Sequence, residues 1–205
     1  MISGLILAAG FSSRMEGKNK LLLEIKGKLI IEHVIIAAQK SKLDEIVLVY
    51  KDEAVNNIAK SYGLRTIYNE SSSKGMSTSL AKGLGIVSKD SKACLFLLGD
   101  MPFVSAETIN KIIDTHKNIS ISKDYDIAKQ IVVPFYKEER GNPVMIGSSY
   151  YSEILNNSGD IGARDIIKKN KEYIIRVDII NKEENIDVDT PEKYMEINKF
   201  DNSTN

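Results

Sequence analysis

The sequence predicts an α/β fold: a single domain on a mainly parallel sheet, mixed in its C-terminal part, with helices on both faces. Three observations carry this. Short, uninterrupted apolar runs alternate with helical patterns along most of the chain, as parallel strands buried on both faces require. After Asp126 the rhythm changes to two apolar runs around a charged turn, 137–141, which reads as an antiparallel pair. With 205 residues the chain can bury one full core, and no internal repeat or linker divides it.

In order, Ile2–Leu7 reads as a buried strand, followed by a Gly/Ser-rich loop to about Lys20. Leu29–Gln39 carries apolar residues at helical spacing, Ile46–Tyr50 is a strand and Ala54–Tyr62 a helix. Arg65–Tyr68 is a short strand before the polar loop Asn69–Gly75, and Ser77–Val87 is the next helix. Ala93–Leu98 is the most hydrophobic strand, and Ser105 is placed to cap a helix over Ala106–Lys117. Ile131–Tyr136 and Pro143–Ile146 form the expected antiparallel pair, with Pro134 implying an edge position or a bulge. Tyr173–Ile179 adds a strand, and Thr190-Pro191 opens the last helix, Thr as cap and Pro in the first turn. The domain is expected over residues 1–200, with 201–205 a frayed polar tail.

Composition narrows the function classes. Lys plus Arg and Asp plus Glu both number 28, so no bulk charge points to a nucleic-acid backbone or an anionic membrane. The single cysteine, Cys94, lies in an apolar run and reads as core filler; alone it supports neither a disulfide framework nor a Cys-based zinc site. His33 and His116 lack companions at ligand spacing. The apolar start has no basic residue ahead of it, and no run approaches the roughly 20 residues of a membrane span, so a cytoplasmic protein is expected.

Ligands of open α/β sheets bind at the carboxyl ends of the strands. That rule selects the loops after Leu7, after Tyr68 and after Leu98. In the first, Ala8, Ala9 and Gly10 let a ligand approach the backbone, Ser12 and Ser13 offer hydroxyls, and Arg14, Lys18 and Lys20 place three cations within seven residues. Backbone amides with nearby cations suit a triphosphate. The plainer alternative is a solvated basic loop. A Walker A loop does not fit, since six residues separate Gly10 from Gly17 and Asn19 follows Lys18; the G-x-G-x-x-G pattern is absent as well. In Gly99-Asp100-Met101-Pro102, a carboxylate ends the strongest strand, where it can hold Mg²⁺ against phosphates, although Gly-Asp before Pro is also good turn chemistry. In Asp187-Val188-Asp189, alternation on an extended segment points both carboxylates one way, to complete a metal site with Asp100 or to cap the last helix.

Six segments in register resemble the molybdenum cofactor nucleotidyltransferases, within the Rossmann-like, MobA-like NTP transferases. They are Leu7-Ala8-Ala9-Gly10 with Ser12, Arg14, Met15 and Lys20-Leu21-Leu22; Gly75-Met76-Ser77-Thr78-Ser79-Leu80; Gly99-Asp100-Met101-Pro102; Gly141-Asn142-Pro143-Val144; Gly159 to Arg164; and Asp187 to Glu192. The resemblance covers nearly the whole chain. It implies that Leu7, Ala8, Ala9, Gly10, Ser12 and Ser13 hold base and phosphates, with Arg14 and Lys20 on the triphosphate. Gly75, Met76, Ser77 and Ser79 would close around base and ribose. Asp100, with Asp189 or Asp187, would bind Mg²⁺; Gly141, Asn142, Pro143 and Arg164 would shape the acceptor side.

Ala9-Gly10, where guanylyl-transferring members have a Gly-Gly pair, resembles the cytidylyl branch, as do the Ser-Thr-Ser-Leu and Gly-Ala-Arg-Asp stretches. Two departures stand out: Glu16 precedes Gly17 after the Arg-Met pair, and Asn142 replaces the usual histidine before Pro143. Asparagine donates a hydrogen bond but does not titrate near neutrality. The implied reaction moves CMP from CTP to a phosphorylated acceptor, molybdopterin by resemblance, with a molybdoenzyme as recipient of the product. Rival readings are a cytidylyltransferase for sugar or polyol phosphates and a non-catalytic nucleotide-binding cofactor chaperone. The three aspartates favour catalysis over the last.

Overall fold

The computed structural model describes all residues except 12, 13, 16–18, 120–125, 157–162 and 203–205. Among the described residues ten strands and seven α-helices follow in the order β1 (Ile2–Ala8), β2 (Glu24–Ile25), β3 (Lys28–Leu29), α1 (Ile30–Gln39), β4 (Glu45–Tyr50), α2 (Glu53–Ser61), β5 (Arg65–Tyr68), α3 (Met76–Leu84), β6 (Ala93–Leu98), α4 (Ala106–Ile119), β7 (Ile131–Tyr136), β8 (Glu139–Arg140), β9 (Val144–Gly147), α5 (Tyr151–Asn156), α6 (Ala163–Lys169), β10 (Ile174–Ile179) and α7 (Pro191–Asn202). The main sheet runs β10-β7-β9-β6-β1-β4-β5, with β8 beside β7, and β2 and β3 form a separate two-stranded ribbon. Pairing is parallel across β6-β1-β4-β5 and between β7 and β10, whereas β9 runs antiparallel to both β6 and β7.

The apolar strands are continuous because both faces are covered. Leu5, Val47, Cys94 and Phe96 face one cluster, with Leu80 and Leu84 of α3, Ile154 of α5 and Ile166 of α6. Their neighbours Ile6, Leu48, Leu95 and Leu97 face the other, with α1, α2 and α4. Cys94 is fully buried, and burial pushes its thiol far up, consistent with a packing role. His33 Nε2 lies 2.7 Å from the Ile25 carbonyl, and His116 is buried beside Gln130. No helix of the described residues is long and apolar enough to cross a membrane.

Local chemistry explains the helix starts. Ser105 Oγ accepts from Thr108 N at 3.1 Å, and Thr190 Oγ1 accepts from Lys193 N at 3.3 Å, so both expected caps form. One expectation is corrected. Pro134 is not on an edge strand, because β7 lies between β10 and β9. The pairing of β7 with β9 ends at Val132 and that with β8 starts at Phe135. Pro134 fills the gap, where the register changes between β9 and β8, in line with the bulge alternative; its carbonyl accepts from Gly141 N at 2.9 Å, and Val177 of β10 is its register partner on the other side.

Candidate active site

The carboxyl ends of β1 and β6 and the start of α3 enclose a cavity of about 250 Å³. Seven of the residues singled out in the sequence line it: Leu7, Ala9, Gly10, Gly75, Met76, Ser79 and Asp100. Phe11, Ser72 and Leu98 complete the lining. Ala8 does not; consecutive residues point to opposite faces, so Ala8 packs on the α1 side of the sheet and Ala9 on the α3 side. Ser12 and Ser13 fall outside the described residues, as does Lys18.

The second loop is organised by Asn69, which sequence reasoning passed over because a lone polar residue in a loop carries no pattern. Its Nδ2 donates to Thr78 Oγ1 and to Ser79 Oγ, both at 2.9 Å, and its Oδ1 accepts from Ser71 N at 3.0 Å. Gly75 then turns the chain into α3 with φ 103°, a conformation that favours glycine. The α3 N-terminus, the positive end of its dipole, therefore opens onto the cavity. Ser77 is buried behind this rim. The first loop is tethered at both ends to the corner between β4 and α2. Lys51 Nζ sits 3.1 Å from the centroid of the Phe11 ring. Asn19 Nδ2 donates to Asp52 Oδ2 at 2.7 Å.

The acidic residues converge. Gly99 N donates to the Leu7 carbonyl at 3.0 Å, which extends the β6–β1 ladder to the residue before Asp100. Val188 N donates to the Asp100 carbonyl at 3.0 Å and its side chain is fully buried, so Asp187 and Asp189 point away from the core beside Asp100. Lys20 joins them: its ammonium donates to Asp100 Oδ2 at 2.5 Å and also to Asp189 Oδ1. Burial pulls the Lys20 pKa down, but the two carboxylates outweigh it and the net shift is upward. The Lys20 hydrogen bond holds Asp189 below its ordinary value, whereas desolvation and the Asp189 and Asp100 charges push Asp187 up. Arg14 Nη1 stands 3.7 Å from Asp189 Oδ2, an exposed and hence weak pair.

The donors near Asp100 are carboxylate oxygens, the set that a hard divalent cation takes. Among the described residues no group of three or more His, Cys, Asp and Glu is disposed to hold a metal. Two carboxylates can hold a divalent cation such as magnesium where the phosphates of a ligand complete its oxygen shell.

On the neighbouring side, Phe96 pairs with Val144 in antiparallel register, which carries Pro143 and Asn142 toward the end of β6 that bears Asp100. Asn142 N donates to Asn185 Oδ1 at 3.2 Å, and the Asn142–Pro143 peptide is cis. Arg164 is exposed in the first turn of α6 and is not among the cavity-lining residues; the Gly159–Gly162 part of its motif falls outside the described residues.

Residues 4–173 match the MobA-like NTP transferase domain. The chain belongs to this family. The MobA-like domain here is also 35% identical over 125 residues to the bifunctional protein GlmU of Buchnera aphidicola subsp. Acyrthosiphon pisum (strain Tuc7), a match spanning 57% of this chain and 26% of that protein. The chain thus matches only about a quarter of the length of such relatives. Among solved structures it resembles Rv0371c of Mycobacterium tuberculosis H37Rv, with TM-score 0.81, 23% identity and 97% of each chain covered. A second structure of that protein is a complex with manganese. It also resembles CMP:2-keto-3-deoxy-manno-octonic acid synthetase complexed with CTP, with TM-score 0.77, 14% identity, and 100% and 99% of the two chains covered. At these identities the structural likeness is one of fold. In this NTP transferase domain the cavity, the Gly75 turn and the three aspartates all lie at the sheet edge where the fold class binds its ligands.

Proposed function

We propose that the protein is a nucleotidyltransferase that moves CMP from CTP to the phosphate of a small acceptor, of which molybdopterin is the leading candidate. The observation that carries this reading is the convergence of Lys20, Asp100 and Asp189 beside a cavity walled by the first loop and the α3 N-terminus. One side supplies cations and amide dipoles for phosphates; the other supplies carboxylate oxygens. Family membership supports a nucleoside triphosphate as donor, and the CTP complex of a protein with the same fold is what favours cytidine as its base.

An acceptor phosphate oxygen attacks the α-phosphorus in line, the bond from that phosphorus to the bridging oxygen breaks, and pyrophosphate leaves with the electron pair. A phosphate monoester is already ionised, so no strong general base is required. The work of the protein is positioning and charge neutralisation. Leu7, Ala9, Gly10 and the start of α3 would orient base and ribose, and Lys20 and Arg14 would neutralise the phosphates. Gly141, Asn142 and Pro143 would border the acceptor, and Arg164 would meet its phosphate. Asp100 and Asp189 would hold the magnesium ion, with Asp187 beside them; when bound, the ion supplies Lewis-acid stabilisation of charge on the phosphates.

Pyrophosphate release with CTP, magnesium and a panel of acceptors, molybdopterin beside sugar and polyol phosphates, tests the assignment. Turnover with molybdopterin is expected, and its loss in Asp100→Asn, a near-isosteric change that keeps the fold. Turnover only with a sugar or polyol phosphate would move the protein to that class. Tight CTP binding without turnover on any acceptor would leave a nucleotide-binding chaperone.

A further inference from the structure

We propose that Lys20 is the built-in counter-ion of the Asp100–Asp189 pair and must vacate those oxygens before a divalent cation binds, so that the ammonium is released to the nucleotide phosphates as the metal arrives. The inference rests on the nucleotidyl-transfer reading above. Its basis is geometric. The Lys20 side chain is 11% exposed, and its ammonium contacts one oxygen of each carboxylate, Asp100 Oδ2 at 2.5 Å and Asp189 Oδ1. Asp100 and Asp189 are locked as neighbours by the Val188–Asp100 backbone bond, so the cation between them is what offsets their mutual repulsion.

A hard cation seeks the oxygens that the ammonium now holds, and two cations cannot share them without strong repulsion. Among the described residues Arg14 is the other cation near this pair, but at 3.7 Å from Asp189 Oδ2 and 72% exposed it is a solvated screen, not an occupant. Two consequences follow. Metal alone binds weakly, because it must break charge-assisted bonds. A phosphate that accepts the released ammonium repays that loss, so nucleotide and metal strengthen each other's binding reciprocally. Lys20 would thereby act twice, on the carboxylates before substrate and on phosphate afterwards.

The test is a direct Mn²⁺ titration, read by loss of the free-ion electron paramagnetic resonance signal, with no turnover involved. Lys20→Met keeps the length of the stem and removes the charge. Without nucleotide it should bind Mn²⁺ about tenfold more tightly than the wild type, or better, the gain that one lost charge-assisted competitor implies. Lys20→Gln serves as a second uncharged variant if the methionine form does not fold, with the same expectation. In the wild type, CTP should tighten Mn²⁺ binding more than it does in the variants. Equal or weaker Mn²⁺ binding by both variants, with Mn²⁺ still bound by the wild type and CTP together, would overturn the displacement alone. No Mn²⁺ binding by any form, with or without CTP, would overturn the metal reading and this inference with it.

Discussion

The Tyr136 hydroxyl donates to the Asn142 carbonyl at 2.7 Å, and the edge of the same ring stands 2.4 Å from where a Cβ on Gly141 would lie. One tyrosine thus both anchors the 141–143 loop and forbids a side chain at its start. Asn185 works from the other side, where its Oδ1 accepts from Asn142 N and would lie 2.3 Å from the same Cβ. Gly141→Ala should therefore displace the loop, because neither neighbour is the free end of a flexible chain. If this loop borders the acceptor, the variant should raise KM for the acceptor while leaving KM for CTP close to the wild-type value. Tyr136→Phe, which loses one hydrogen bond worth about 1 kcal/mol, should show the same split more weakly. Equal changes in both Michaelis constants would detach the loop from acceptor binding.

Two glycines should separate function from fold. At Gly83 of α3, a Cβ would meet Leu5 Cδ1 at 2.2 Å, because the helix lies directly on β1. Overpacking of this kind costs about 1–3 kcal/mol. Gly83→Ala should lower the melting temperature by several degrees, roughly 2–4 °C per kcal/mol for a chain of this size. At Gly10 a Cβ would meet nothing within 4 Å, and the residue lines the cavity. Gly10→Ala should melt like the wild type and yet bind nucleotide less well, since its methyl projects into space that a ligand would use. Unchanged CTP affinity in a well-folded Gly10→Ala would mean that the ligand does not approach the backbone there.

Much of this architecture was legible because burial on both faces leaves a continuous apolar run. The strands Arg65–Tyr68, Ala93–Leu98 and Ile131–Tyr136 have the limits that their composition implies. The α3 helix ends at Leu84, short of the expected Val87, since Gly83 and Gly85 weaken its last turn. The insertion of β9 between β6 and β7 was not legible: alternation shows that a strand pairs, not on which side. The same limit governs the site. Asp100 could be placed because it ends the strongest strand, whereas Gly75 was placed only by the family resemblance. The partners of Lys20 lie 80 and 169 residues away in the chain, and no spacing rule links an ammonium to carboxylates at that range. Asn69, Lys51 and Asp52 escaped notice for a related reason: their roles come from where loops meet.

Acid sensitivity should trace to His116. The ring is 1% exposed, and burial pushes its pKa from 6.5 down to about 4, against a smaller upward pull from Gln130. The unfolded chain takes up this proton below about pH 6.5, whereas the folded protein resists until about pH 4. Its contribution to stability is therefore complete above pH 6.5 and is lost as the pH falls toward 4, to a total of about 3 kcal/mol. Urea unfolding at pH 7.5 and 5.0 should show a drop in the wild type, and a smaller one in His116→Gln, which cannot titrate. Equal drops in the two proteins would assign the acid sensitivity to carboxylates instead.

Base choice should depend on Ala9. It lines the cavity at 2% exposure, while its methyl also packs in the α3-side cluster with Leu5 and Leu80. The backbone at this position is thus held in place at the cavity wall, and if the base seats there, a purine, larger than a pyrimidine, would meet a floor that does not sink. Cytosine offers N3 and O2 as acceptors and N4 as a donor, suited to backbone groups of the first loop and to hydroxyls near Ser77 and Ser79. A site of this kind rejects the wrong base mainly by leaving buried polar groups unpaired. CTP should therefore be used in preference to GTP and ATP. Ala9→Gly removes the methyl, costs about 1 kcal/mol of stability from lost burial and added chain freedom, and loosens the floor. That variant should narrow the gap between CTP and GTP while retaining CTP use. The measurement is relative kcat/KM for the two nucleotides in competition, with a molybdopterin-type acceptor. A wild-type preference for GTP would place the protein with the guanylyl-transferring members of its family, and Ala9 would then have no part in excluding the purine.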